Sequence, residues 1–319
     1  MEEKVLIETK NLKKYFKTGK GQLHAVDNVS FTIKKGTTLG VVGESGCGKS
    51  TLGRVLLRLH DATDGQIFYD GMDITRMSPK ELKPLRTKMQ MIFQDPSASL
   101  DPRQSVKDLI GEPLKIYKVC KNRDEYEARI AEIMKTVGLD DRYADSFSHE
   151  LDGGRRQRIG IGRALAMNPE FIVCDEPVSA LDVSIQAQIL NLLMDLQEKK
   201  KLTYVFITHD LSVVKHISHE IMVMYLGQCV EYAKTEDLFK NPLHPYTKGL
   251  LDAVPIPSLN AKKLSTQVMR GELTSPINPL PGCRFAARCP YASDACHGTD
   301  IPLREVEPGH FVSCIKYKG

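Results

Sequence analysis

Apolar positions follow two rhythms along this chain, and each change of rhythm marks a new element. Near the start, Val5 and Ile7, then Val29, Phe31 and Ile33, alternate with other residues in the period of two that half-buried strands require. Lys17-Thr18-Gly19-Lys20-Gly21 between them predicts a turn or loop. The run Thr37–Val42 predicts a buried strand, and Leu52–Leu59 carries its apolar residues at helical spacing. Asp64-Gly65 and Asp70-Gly71 are turn signals around a short strand, Gln66–Tyr69. Met89–Phe93 is a further strand, ending at Gln94, and Asp95–Pro102 predicts a loop holding two prolines. From about Ser105 to Leu139 the spacing turns helical: Val106, Leu109 and Ile110 share one face, as do Ile130, Ile133, Met134 and Val137. Phe171–Cys174 then predicts a buried parallel strand with Asp175 and Glu176 at its C-terminal end. A helix through Ile185, Ile189, Leu192, Leu193 and Leu196 follows, then a strand Thr203–Thr208 ending at His209, and two short strands, Ile221–Tyr225 and Gln228–Tyr232. Beyond about Lys240 the long periodic segments stop and prolines crowd in (Pro242, Pro245, Pro255, Pro257, Pro276, Pro279, Pro281), which places the start of a small appended unit between roughly 235 and 260. Strands alternating with helices predict an α/β core interrupted by a helical insert.

Chemistry enters at Gly43-Glu44-Ser45-Gly46-Cys47-Gly48-Lys49-Ser50-Thr51, which reads G-x-x-x-x-G-K-[ST] between a strand and a helix. The glycines let the backbone wrap a phosphate with its N–H groups pointing inward, and the helix N-terminus adds partial positive charge. Lys49 is positioned for the β- and γ-phosphates and Ser50 for Mg²⁺. Phosphoryl chemistry also needs carboxylate oxygen for the metal and a group to activate water. Asp175 is the candidate for holding Mg²⁺ through water, and Glu176 for general base. Gln94 and His209 each end a strand; Gln94 is a candidate for touching Mg²⁺ or the attacking water, and His209 for the γ-phosphate. Tyr15 lies just before the first turn, where its ring suits either stacking on a base or plain strand packing.

Bulk properties narrow the class. The chain has 319 residues, a net charge of +4 and 26% charged residues, which argues against a nucleic-acid protein driven by bulk charge. No apolar run approaches the ~18 residues of a membrane span, and Met1-Glu2-Glu3-Lys4 lacks an apolar signal core, so a cytosolic setting is expected. There the eight cysteines are expected as thiols or ligands rather than disulfides. Cys47, Cys120, Cys174 and Cys229 are scattered, whereas Cys283, Cys289, Cys296 and Cys314 crowd the tail in a C-x5-C-x6-C-x17-C pattern. Four thiolates can hold zinc or an iron–sulfur cluster, although the close C-x2-C pairs common at structural zinc are missing.

Between the insert and the Asp175-Glu176 strand lies Ser148-His149-Glu150-Leu151-Asp152-Gly153-Gly154-Arg155-Arg156-Gln157-Arg158. The order of phosphate loop, glutamine loop, Gly-Gly signature, Asp-Glu strand, Ser179-Ala180-Leu181-Asp182 and His209 resembles the ATP-binding subunit of an ABC transporter, over roughly residues 5 to 235. The resemblance implies a P-loop ATPase core with an antiparallel β subdomain and a helical subdomain. It implies two subunits face to face, each ATP held between one chain's phosphate loop and the other's Leu-Ser-Gly-Gly-Gln signature. It also implies adenine stacking for Tyr15, nucleotide contacts along Gly43, Ser45, Gly46, Cys47, Gly48, Lys49, Ser50 and Thr51, and a dimer contact at Asp182. Two signature positions depart from the pattern: Asp152 stands where serine is usual and Arg155 where glutamine is usual. An ionised carboxylate cannot donate to a γ-phosphate and repels it, so a heterodimer with a second ATPase subunit is expected to keep one good site and one poor one.

Asp95-Pro96 through Asp101-Pro102-Arg103, His244-Pro245-Tyr246-Thr247 and Pro281-Gly282-Cys283-Arg284-Phe285-Ala286-Ala287-Arg288-Cys289-Pro290 are similar to the dipeptide and oligopeptide importer ATPases, in the subunit type lettered F. That implies an ATP-binding domain over 1–240, with its helical subdomain at about 97–160, and a C-terminal domain over 241–319 with a four-cysteine site. It implies a 4Fe–4S cluster on Cys283, Cys289, Cys296 and Cys314, with Zn²⁺ or free thiols the alternatives, and Mg²⁺ held through Ser50 and Gln94. It further implies two membrane-spanning permease partners, an extracytoplasmic peptide-binding protein reached through them, and a peripheral place on the cytoplasmic face of the membrane. The expected activity is ATP hydrolysis driving dipeptide or oligopeptide import. Import of nickel or another solute, or a non-transport ABC ATPase, are the alternatives.

Overall fold

The period-two alternation at the start of the chain builds a long hairpin. In this computed structural model, which describes residues 4–253 and 275–317, β1 (Val5–Thr18) pairs antiparallel with β2 (Gly21–Lys34). Phe31 and Ile33 point inward and are buried, while Thr32 between them is exposed. β4 (Asp64–Tyr69) pairs with the other edge of β1, and β5 (Met72–Asp73) closes a four-stranded antiparallel sheet in the order β2-β1-β4-β5.

Contacts divide the chain into two compact units, each discontinuous in sequence. One holds the described residues of Met1–Lys34, Thr38–Arg76 and Phe206–Gly319, the other Lys35–Thr37 and Met77–Val205. Besides the hairpin sheet, the first unit contains β3 (Thr38–Val42), buried at every position, which pairs parallel with β9 (Glu220–Tyr225). β9 pairs antiparallel with β10 (Gln228–Lys234). The C-terminal hairpin, β11 (Arg304–Glu307) and β12 (His310–Val312), then adds to β10 through β12. This unit also carries α1 (Lys49–Leu56), α8 (Leu211–Ile217), α9 (Thr235–Lys240) and α10 (Pro245–Asp252).

The tail is therefore more regular than its prolines predict. Pro245 sits in the first turn of α10, where its missing N–H costs nothing, and the His244 ring accepts from the Tyr246 N–H at 3.1 Å. Pro308-Gly309 turns β11 into β12, with Gly309 at φ 76°. Glu231 on β10 is fully buried; its carboxylate accepts from the N–H groups of Leu243 (2.7 Å) and His244 (2.8 Å) and lies 2.8 Å from Nε2 of His310. One carboxylate thus ties three points of the tail to the central strands, which is how a buried charge becomes tolerable. Pro255 and Pro257 lie outside the described residues.

In the second unit β6 (Met89–Ile92) pairs parallel with β7 (Phe171–Asp175), and β8 (Thr203–Ile207) lies beside β7 and runs across the division. Its helices are α2 (Pro79–Leu82), α3 (Pro96–Ser99), α4 (Val106–Ile116), α5 (Arg123–Thr136), α6 (Gly153–Leu165) and α7 (Val183–Lys200). Ser105 and Asn122 cap α4 and α5 by accepting from the N–H groups of Asp108 and Glu125. The apolar stripes seen in the sequence form the core of this bundle, where Ile110, Ile133, Met134 and Ile159 are all buried. The expected loop after Gln94 contains the single-turn helix α3, which begins at Pro96, a position where proline is favoured. Among the described residues no helix is long and apolar enough to cross a membrane.

Candidate functional site

The phosphate loop leaves β3 at Val42 and enters α1 at Lys49. Gly43 has φ 153°, and a Cβ there would lie 2.2 Å from the Met224 carbonyl oxygen; Gly48 has φ 107°, and a Cβ would lie 1.9 Å from that of Ala25. No other residue type fits either position without moving backbone. Ser45 and Gly46 at the crest are exposed, Cys47 is buried, and Ser50 and Thr51 are half-buried at the start of α1. Lys49 is only 5% exposed, and its Nζ donates back to the carbonyls of Gly43 (2.7 Å) and Glu44 (3.0 Å). The loop's single cation is thus turned onto its own backbone, a geometry that an incoming phosphate can replace. His209, just past β8 in the same unit, is exposed.

Tyr15 is half-buried near the end of β1. Its ring stacks on His24 at 3.9 Å between centroids, and its hydroxyl donates to Asp27. Burial, then the bond and charge of Asp27, push this phenol above its usual range. Asp27 is paired with Arg284. Arg284 and Arg288 escape sequence reasoning although both stand in the quoted cysteine-rich segment. The signal was two basic residues between Cys283 and Cys289.

The second unit holds the carboxylates. Asp175, the last residue of β7, is 1% exposed, and Glu176 after it is half-buried. Glu176 has φ 45°, a left-handed conformation that costs a non-glycine residue about 1–3 kcal/mol and gathers at functional positions. The exposed Gln94, just past β6, donates from Nε2 to Glu176 Oε2 at 3.1 Å. Asp152 is the N-cap of α6: Oδ1 accepts from the Arg155 N–H at 2.8 Å, and the Arg155 guanidinium pairs with the same carboxylate. Asp182 begins α7, exposed and without a side-chain cap bond.

The four tail cysteines line one cavity of about 290 Å³ in the first unit, together with His244, Phe285 and Tyr291. Cys296 is buried and the other three are half-buried. Burial pushes the Cys283 thiol up to about 11 and also raises Cys289 and Cys314, and the neighbouring thiols add to each shift. Among the described residues no group of three or more His, Cys, Asp or Glu side chains is drawn together enough to hold a single metal ion. Neither expected group, the 4Fe–4S cluster nor its zinc alternative, therefore finds an assembled site among the described residues. The scattered Cys174 and Cys229 are held as neutral core thiols by burial first, with the nearby Asp175 and Glu231 carboxylates adding to it.

Comparison with known proteins gives the same picture. The family described as "ABC transporter" matches residues 26–179, and "Oligopeptide/dipeptide transporter, C-terminal region" matches residues 230–296. The chain is 50% identical over 312 residues to the oligopeptide transport ATP-binding protein OppF of Bacillus subtilis (strain 168), covering 98% of this chain and 96% of that one. It is 48% identical over 324 residues to AppF of the same organism, also an oligopeptide transport ATP-binding protein, covering 99% and 98%. Among solved structures, the ATP-binding cassette MJ0796, dimeric and bound to ADP and Pi, is similar with a TM-score of 0.67 and 31% identity over 72% of this chain and 99% of that one. The cbiO1 subunit from Clostridium perfringens is similar with a TM-score of 0.66 and 26% identity, over 75% of this chain and 92% of that one. The chain belongs to the ABC transporter ATP-binding proteins, in the branch that carries the oligopeptide/dipeptide transporter C-terminal region.

Proposed function

We propose that this chain is the ATP-hydrolysing subunit that powers peptide import through a membrane ABC transporter. One observation carries the reading: a buried Lys49 at the head of α1, inside a G-x-x-x-x-G-K-[ST] loop between a strand and a helix, in a chain similar along 98% of its length to an oligopeptide transport ATP-binding protein. The phosphate-loop N–H groups, from Gly43 to Thr51, and Lys49 take the phosphates. The Ser50 hydroxyl and Gln94, with Asp175 through water, would supply the oxygen donors that suit Mg²⁺, and the ion would offset phosphate charge. Glu176 takes the proton of the attacking water, Gln94 orients it, and His209 meets the γ-phosphate. The adenine stacks on Tyr15.

Residues 1–240 form the ATP-binding domain, and 241–319 the peptide-importer extension. The working unit is a pair of ATPase subunits, as in the dimeric MJ0796 cassette, with Asp182 at the contact. The altered signature favours a second, different ATPase subunit as partner. Two membrane-spanning permease subunits receive the motion, and an extracytoplasmic binding protein delivers the peptide to them. Such partners place this chain on the cytoplasmic face of the membrane. The test is uptake of labelled oligopeptides into vesicles carrying the assembled transporter, beside the complex with Lys49→Ala. ATP-dependent uptake lost in the variant is expected; uptake that persists overturns the reading.

The four tail cysteines are the proposed ligands of a 4Fe–4S cluster. The support is a cavity of about 290 Å³ lined by all four cysteines, whose thiolates are the soft donors that iron–sulfur clusters take. The role is structural: a bound cluster ties Cys283, Cys289, Cys296 and Cys314 together in a segment with little core of its own. Anaerobically purified protein is expected to contain iron and acid-labile sulfide, and Cys296→Ser to lose most of both. Protein with neither iron nor zinc overturns the site.

A further inference from the structure

Two arginines between Cys283 and Cys289 reach the nucleotide side of the first unit. Arg288 makes two parallel bonds to Glu44, Nη1 to Oε2 at 2.8 Å and Nη2 to Oε1 at 3.1 Å. Glu44 is inside the phosphate loop. The two side chains are 9% and 21% exposed. Arg288 also lies over the rings of Tyr225 and Phe285, 5.9 and 6.0 Å from their centroids. The Glu44 N–H donates to the hydroxyl of Tyr246 at 2.8 Å, so α10 grips the loop from a second direction. Arg284 pairs with Asp27, with side chains 6% and 13% exposed, and donates to the Leu226 carbonyl. Asp27 is the acceptor for the Tyr15 hydroxyl, and its other oxygen lies 3.1 Å from Nδ1 of His24, the ring on which Tyr15 stacks.

Each pair has its own electrostatic consequence. Glu44 is an acid in a loop that must receive phosphate. Left alone, its charge would oppose the ligand; paired bidentately with a guanidinium, it adds no net charge and fixes the loop's backbone. Asp27 without Arg284 would be a buried carboxylate with one cation fewer, and the Tyr15 hydroxyl would lose a fixed acceptor.

We infer that Arg284 and Arg288 are positioning residues for the nucleotide. Arg288 neutralises and sets the phosphate loop through Glu44, and Arg284 sets the Tyr15 platform through Asp27. The inference rests on the nucleotide-site reading above and adds the C-terminal residues that hold that site in shape.

The test is equilibrium binding of ATP and of inorganic tripolyphosphate, which has no base, to the full chain. Arg288→Gln is expected to weaken both ligands by about tenfold, because Glu44 is left uncompensated. The double variant Glu44→Gln with Arg288→Gln should recover most of that loss, and Arg288→Lys, which keeps the charge but not the paired geometry, should fall between. Arg284→Gln should weaken ATP several-fold and leave tripolyphosphate unchanged. A double variant as weak as Arg288→Gln, or Arg284→Gln that weakens both ligands alike, overturns the corresponding half and reduces the arginine to a packing role. Tyr15→Ala and Lys49→Ala separate the two layers of argument. If either binds ATP as the parent does, the site reading itself fails; if both bind weakly while the arginine variants bind normally, only this inference fails. Melting without nucleotide, compared across the set, identifies any variant that is simply unfolded, and Arg288→Lys then carries the phosphate arm.

Discussion

Glu176→Gln is expected to slow ATP hydrolysis by roughly 10³-fold and to leave ATP affinity near that of the parent chain. Glutamine has the same shape, and its amide oxygen can still accept from Nε2 of Gln94, so the 3.1 Å contact and the backbone at φ 45° have reason to survive. What disappears is the ability to take a proton from water. A loss confined to the chemical step is the signature of a group that acts in the transition state rather than in binding. Asp175→Asn should behave differently. It removes charge from a carboxylate that is 1% exposed, so it should raise the Mg²⁺ concentration needed for activity before it alters the rate at saturation. Phosphate release measured beside ATP binding separates the two. If Glu176→Gln hydrolyses within a few-fold of the parent, the base lies elsewhere and Glu176 is only a strained turn residue.

The parts of this protein that could be read in the sequence are those whose cause is local. A period of two made β1 and β2 visible, and the phosphate loop was visible because loop, lysine and helix N-terminus occupy nine consecutive residues. The bracing of that loop was not visible, because its cause is distant. Glu44 and Arg288 are 244 positions apart, and Asp27 and Arg284 are 257 apart. No window along the chain contains both members. Each alone looks like an ordinary charged residue, and only the fold shows that each answers the other. The tail's strands were missed for a milder reason. β11 and β12 have four and three residues, too few to show a period, and Pro308-Gly309 was the one sign of their turn. The cysteine cavity lies between these cases. Spacing alone allowed zinc or a cluster, and it took the fold to show that the four cysteines line one cavity.

Replacing Asp152 by Ser together with Arg155 by Gln is expected to raise hydrolysis by the chain alone about tenfold. In related ATPases the signature serine donates to the γ-phosphate bound by the opposite subunit. Here that position is a helix N-cap whose carboxylate accepts from the Arg155 N–H at 2.8 Å, so Asp152 serves α6 well and serves a facing phosphate badly. Two like charges about 4 Å apart at an effective dielectric near 20 repel by about 4 kcal/mol. The Arg155 guanidinium, paired with the same carboxylate, offsets much of this, but the pair is 42% and 57% exposed and screened by water. The net penalty is therefore nearer the ~1.4 kcal/mol of a tenfold effect than the full repulsion. Serine caps helices about as well as aspartate, so the replacement should not cost α6 its start. The outcome also reports on assembly. In a dimer of identical chains both sites gain, and the tenfold rise appears in full. Paired with a second ATPase subunit that has its own serine, this chain's signature governs one site of two, and the site formed by its own phosphate loop is already served. The rise there should be no more than about twofold, because only the poor site had anything to recover. An unchanged rate in the chain alone would mean that the Asp152–Arg155 pair presents a surface the phosphate accepts, with guanidinium rather than hydroxyl as donor. The case for an unlike partner would then fall with it.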